Sequence, residues 1–145
     1  VQRVREASVI VDGRAVGAIA AGLLVYLGVG IDDANADAAY LAEKVRYLRC
    51  FPDDAKPMNR DVVDAGGAVL LVSAFTTLAD ARKGRRPAFT DAAAPELAEQ
   101  LYLQFCADLS GHGVHVEKGQ FRAHMDVIAT NDGPICILLD SKKAF

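Results

Sequence analysis

Ala7-Ser-Val-Ile-Val-Asp-Gly-Arg-Ala-Val16 places an Asp-Gly pair between two β-branched runs. A type I′ turn needs positive φ at both central residues, and Asp-Gly supplies that at low cost. The stretch therefore predicts a hairpin, with strands at about 1–11 and 14–29. Leu23-Leu-Val-Tyr-Leu27 is apolar on both faces, which predicts a central position in the sheet. Ala38, Leu41, Val45 and Leu48 recur at steps of three and four and predict a helix over 34–49, with Asp32 or Asp33 capping it. Pro52 and Pro57 mark a loop over 51–64, and Gly66-Gly67 opens a buried strand at Ala68–Ser73. Leu97, Leu101, Phe105 and Leu109 step by four after Pro95 and predict a second helix over 95–110, ended by Gly111 and Gly113. Strands are expected at about 114–117, 125–130 and 135–140, the last with Ile135, Ile137 and Leu139 facing one way. The order ββαβαβββ predicts an α/β fold, a mixed and largely antiparallel sheet carrying two helices, in one domain over 1–145.

The composition fits that reading. The 145 residues are 52% hydrophobic and 24% charged, with 12 Gly and 5 Pro, which argues against a disordered or collagen-like chain. The formal charge is −3, so a wholly basic nucleic-acid coat is excluded and a local basic patch is not. Cys50, Cys106 and Cys136 are an odd, widely spaced set without a C-x-x-C pair, as expected of a reduced, cytoplasmic protein. The apolar run 18–29 is shorter than the roughly 20 residues a membrane span needs. No basic leader precedes an apolar core, so no secretory signal is expected.

Walker, dinucleotide-binding, G-x-S-x-G and H-E-x-x-H motifs are missing. Four features remain. Arg82-Lys-Gly-Arg-Arg-Pro87 concentrates positive charge where a phosphate backbone could be neutralised, and it also reads as a solvated loop. Thr130-Asn-Asp-Gly-Pro-Ile-Cys136 is a turn by composition. Cys136 there reads as a small packed hydrophobe unless something lowers its pKa. Ser73-Ala-Phe-Thr-Thr77 ends a buried strand, where hydroxyls and free N–H groups can meet a carbonyl oxygen and its developing charge. His112, His115 and His124 lack partners at zinc-ligand spacing, and no metal or other cofactor is expected.

Taken together, Gln2-Arg-Val4 with Ala7-Ser-Val9, Arg82-Lys-Gly-Arg-Arg-Pro87 and Asn131-Asp-Gly-Pro134 resemble the D-aminoacyl-tRNA deacylase (D-Tyr-tRNA deacylase) family. The likeness runs from Val1-Gln-Arg-Val4 to Leu138-Leu-Asp-Ser141. The resemblance implies a homodimer that hydrolyses the ester between a D-amino acid, or glycine, and the terminal adenosine of tRNA. It implies a cis Gly133-Pro134 pair that enters the partner's site as a backbone chirality filter, fixed across the interface by Arg3. Phe121 and Met125 match positions near the adenosine. Ser73, Phe75 and Thr76 match a strand-end motif usually reading Ser-Gln-Phe-Thr, and Cys136 stands where the family carries Thr. Lys83, Arg85 and Arg86 would meet tRNA phosphates; no DNA or membrane partner is expected.

Ala74 and Cys136 depart from the family pattern, removing a side-chain amide and replacing a hydroxyl by a weaker thiol. With Thr77, they keep open a relative acting on a mischarged L-aminoacyl-tRNA, or a non-catalytic tRNA-binding dimer. Because an aminoacyl ester is already activated, orientation, an oxyanion site and the neighbouring ribose hydroxyl could suffice. Cys136 as a covalent nucleophile has no matched histidine base.

Overall fold

Asp12 and Gly13 both adopt positive φ, 49° and 76°, as the two central residues of a type I′ turn must. In the computed structural model, which describes residues 1–145, they join β1 (Gln2–Val11) to β2 (Arg14–Ile19) in an antiparallel pair. There follow β3 (Gly22–Leu27), α1 (Asn35–Arg46), β4 (Ala68–Ser73), a 3-10 turn at Phe75–Leu78, α2 (Pro95–Gly111), β5 (Val116–Lys118) and β6 (Asp126–Cys136).

β1 is the hub. It pairs antiparallel with β6 on one edge and with β2 and β3 on the other. β3, β4 and β5 then continue as a parallel run, Leu23 beside Val69 and Leu71 beside Lys118. The sheet is therefore mixed, and it curls until it nearly closes. A Cβ on Gly17 of β2 would overlap the Lys118 carbonyl of β5, so glycine is what permits that approach.

The alternation of side chains gives the sheet two cores. On one face Leu23, Val25, Val69 and Leu71 pack against Ala42 and Val45 of α1 and Leu101, Phe105 and Leu109 of α2. On the other, Val4, Val9, Ile19, Leu24, Leu70 and Val72 fill the inside of the curl, with Met125 and Val127 packed against them. Burying each of these large side chains stabilises the fold by roughly 1.5–3 kcal/mol. No helix is long and apolar enough to cross a membrane.

Several expectations are corrected. The single strand over 14–29 is interrupted at Ala20-Ala21, leaving β2 and β3 as successive lengths along β1. One length curls toward β5 and the other runs into the parallel region, and the Ala21 carbonyl at the break accepts from the Ala68 N–H at 3.2 Å. The two final strands are one, β6, and the segment 137–140 lies outside any strand. Between the pairs Val4–Asn131 and Gln2–Cys136, β1 advances two residues and β6 five, so the Asn-Asp-Gly-Pro segment bulges from a strand instead of linking two. The first helix stops at Arg46, short of 49, and β5 begins at Val116. Its expected cap is also different: Asp33 accepts from the Gly30 N–H at 2.7 Å, and Asp37 accepts from the Ala34 N–H at 2.8 Å from inside the first turn.

Candidate active site

β4 carries the chain out of the core to Ser73. The Ala74 N–H still reaches Leu27 O at 2.8 Å, and then the backbone turns. The Thr77 N–H and hydroxyl both close onto Ala74 O, at 3.1 and 2.9 Å, and the Ala79 N–H closes onto Thr76 O. Phe75 and Thr76 are the first two residues of this 3-10 turn, so their N–H groups have no acceptor inside it. Gly28 lets the turn press against the end of β3, because a Cβ there would overlap the Thr77 hydroxyl. Phe75 is 56% exposed, and its ring is held edge-on by Phe89 at 5.0 Å.

Beside this turn lies a cavity of about 360 Å³. Ser73 and Phe75 form one wall, Ala92, Ala93 and the α2 residues Pro95 and Ala98 a second, and Phe121, Arg122, Ala123 and Met125 a third. Phe121 is braced by Tyr102 at 5.9 Å, whose hydroxyl donates to Leu71 O at 3.0 Å. Burial pushes the Tyr102 pKa well above its ordinary value, so it stays a neutral donor. A Cβ on Gly119 would stand 2.8 Å from Met125 Sδ, so glycine leaves room for the thioether. The cavity is apolar, with a strand-end hydroxyl and Arg122 as its only polar side chains.

Of the sequence-selected residues, Ser73, Phe75, Phe121 and Met125 meet in this cavity, and Thr76 sits next to it in the chain. Gly133, Pro134, Arg3 and Cys136 do not line it. Gly133-Pro134 is cis and exposed on the β6 bulge. Gly133 has φ 136°, and a Cβ would meet Ile135 N at 2.7 Å, so no other residue fits without strain. Arg3 is buried beneath the bulge within the same chain. Its Nη1 donates to Cys50 O at 2.7 Å and its Nε to Asp132 O at 3.2 Å, with the Asp132 carboxylate also 3.2 Å away.

Cys136 is exposed and lies opposite Gln2 in the ladder. Cys50 and Cys106 are less accessible, and burial pushes both thiols up. Lys83, Arg85 and Arg86 stand exposed at the tip of a hairpin closed by mutual Asp80–Ala88 backbone bonds of 2.8 Å. Arg82 is instead drawn back onto Asp80 at 2.8 Å, and its hydrogen bonds hold the Asp80 carboxyl down to about 2. The three histidines are exposed, and no group of three His, Cys, Asp or Glu side chains is placed to hold a metal. Sequence reasoning missed Arg122, Phe89, Ala93 and Ala98. An alanine or a lone surface cation carries no motif, and Pro95 in sequence signals only a helix start.

The D-Tyr-tRNA(Tyr) deacylase family model matches residues 1–140. The chain is 57% identical to the D-aminoacyl-tRNA deacylase of Koribacter versatilis (strain Ellin345) over 145 residues, covering 100% of this chain and 97% of that one. It is 54% identical to the D-aminoacyl-tRNA deacylase of Thermus aquaticus over 143 residues, 99% and 94% of the two chains. Among solved structures, the c-Myc DNA Unwinding Element Binding Protein superposes with a TM-score of 0.85 at 35% identity, over 92% of this chain and 91% of that one. A probable eukaryotic D-amino acid tRNA deacylase shares the fold at a TM-score of 0.79 and 16% identity, over 92% of each chain.

Proposed function

The chain belongs to the D-Tyr-tRNA(Tyr) deacylase family, and from that membership and its cavity we infer that it hydrolyses the ester joining a D-amino acid to the terminal adenosine of tRNA. The observation that carries the mechanism is the 3-10 turn beside an apolar cavity, with two successive N–H groups lacking acceptors in the turn. The adenine ring occupies the Phe121 and Met125 wall. The ester carbonyl then lies toward Phe75 and Thr76, whose N–H groups donate to the oxygen as charge develops on it. Water adds to the acyl carbon while the adjacent ribose hydroxyl helps remove its proton. The acyl–oxygen bond breaks, and the departing ribose oxygen takes a proton. Ala74 suffices in this scheme, because the donors belong to the main chain.

Selectivity is assigned to Gly133-Pro134, acting in the site of a second copy of the chain. Two observations support this. The pair lies on an exposed bulge and not in its own chain's cavity. The β6 strand that carries it pairs only with β1, which leaves its other edge unpaired, and it bears Ile128 at 60% exposure, features suited to burial in a homodimer. A backbone filter rejects the wrong hand and does not need to grip the side chain, so glycine and many D-amino acids pass. Lys83, Arg85 and Arg86 are assigned to tRNA phosphates.

The test is to incubate the protein with a D-aminoacyl-tRNA and its L counterpart at matched concentration and follow loss of the ester. Selective loss of the D-ester is expected. Loss of the L-ester instead would favour an altered-selectivity relative, the reading that Ala74 and Cys136 support. Binding of tRNA without hydrolysis of either would overturn the enzyme reading.

A further inference from the structure

Arg122 is the only charged residue among the ten that line the cavity. It sits at the third position of a turn closed by the Ala123 N–H on Gln120 O at 3.2 Å, with φ 63°. That conformation is ordinarily supplied by glycine, because a Cβ is strained there. The side chain is exposed and makes no ion pair or hydrogen bond within the chain, so nothing internal compensates for placing a large residue in this backbone. The strained residue lies on the cavity wall, the kind of place where backbone strain is found at functional sites. Phe121, its neighbour, presents an aromatic wall, and no carboxylate lines the cavity to compete for the guanidinium. Pro95 brings the amino end of α2 to the same cavity, adding positive potential.

We propose that Arg122 binds the phosphate on the 5′ side of the nucleotide whose base and ribose occupy the cavity, making the site specific for a 5′-phosphorylated nucleotide. The inference rests on the deacylase reading for its choice of ligand, yet its test needs no catalysis. Arg is suited to this task, since its planar guanidinium donates two parallel hydrogen bonds to a phosphate.

The experiment is an NMR titration of the protein with adenosine 5′-monophosphate and with adenosine at low ionic strength. Wild type is expected to bind the monophosphate about tenfold more tightly, a preference that fades as salt screens the contact. Arg122→Ala should bind both ligands equally, and Arg122→Lys should keep part of the preference. Arg122→Gly, which relaxes the turn, should raise Tm and also lose the preference, separating charge from backbone strain. Equal binding of both ligands by wild type would overturn the proposal, as would an Arg122→Ala protein that still prefers the monophosphate. Failure of D-ester hydrolysis alongside a phosphate preference would count against the deacylase reading alone.

Discussion

Arg3 carries two carbonyl contacts and an ion pair from a side chain only 10% exposed. Replacing it by alanine leaves Cys50 O and Asp132 O without these donors and removes a mostly buried charge from a carboxylate. The expected cost is about 2–4 kcal/mol by urea unfolding. If Arg3 fixes the Gly133-Pro134 bulge, Arg3→Lys should lose less stability, because it keeps a charge and one donor. It should still lower the ratio of D- to L-ester hydrolysis by about tenfold, since a point charge does not reproduce the fork. A variant that is destabilised with the ratio intact would reduce Arg3 to a structural part. Sequence alone marks Arg3 only through family resemblance. Its contact with the Cys50 carbonyl depends on how the loop after α1 returns to β1, and no local pattern encodes that.

Gly28 and Thr77 link β3 to the turn that carries the proposed oxyanion donors. Gly28→Ala should displace the Thr77 hydroxyl, costing about 1–3 kcal/mol from overpacking and lowering the deacylation rate. Adding Thr77→Ala should restore most of the rate, because the next neighbours of the new Cβ, Ala74 O and Leu78 Cγ, are 3.3 Å away, where a small adjustment suffices. A double variant as slow as Gly28→Ala would contradict this coupling.

At the other end of the chain, Lys142 Nζ donates to Asp37 of α1 at 2.7 Å and lies 3.6 Å from Asp33. The Lys142 hydrogen bond, aided by the Ala34 N–H, holds the Asp37 carboxyl down to about 2. An ordinary aspartate titrates near roughly 3.9, so the tie is fully present above that value and is lost as pH falls toward about 2. The Lys142 pKa is raised, chiefly by the same hydrogen bond to Asp37, so at the alkaline end the tie persists through the ordinary lysine range and fails above it. NMR titration should place the Asp37 carboxyl well below the ordinary aspartate range, and Lys142→Met should bring it part of the way back. An ordinary Asp37 titration in the wild type would contradict the contact.

These elements differ in how far they could be read ahead. The Asp12-Gly13 hairpin and the helix after Pro95 were legible because turn chemistry and apolar period agree there. The interruption at Ala20-Ala21 was not, since nothing in an apolar run announces where a curling sheet must bend. Asn131-Asp-Gly-Pro134 has the composition of a turn, yet pairing with β1 continues on both sides of it and makes it a bulge. Phe121 and Met125 were legible only by resemblance, and Arg122 only once its positive φ and its place in the cavity wall were seen.

Across the whole molecule, the net charge of −3 is offset locally by a cationic hairpin that leads directly into Phe89, and through Phe89 to Phe75. Placing Gly133-Pro134 in a second copy's site makes selectivity depend on assembly. Selectivity per protomer should therefore fall on dilution, in step with dissociation followed by light scattering. Ile128→Asp, at an exposed position on the β6 strand, should produce monomers that lose D-over-L discrimination. Monomers retaining full discrimination would show the filter acting within one chain.

If the main chain supplies the oxyanion donors, removing the Thr76 side chain and removing its N–H should have different effects. Single-turnover hydrolysis of a D-aminoacyl-tRNA should be measured for wild type, Thr76→Ala and Thr76→Pro, with folding checked by thermal melting. Thr76→Ala keeps the N–H and should remain within a few-fold of wild type. Thr76→Pro removes the N–H and also restricts Phe75 before it, and should slow the step by about 10²-fold. A folded Thr76→Pro protein as fast as wild type would contradict the account, as would a Thr76→Ala protein as slow as the proline variant.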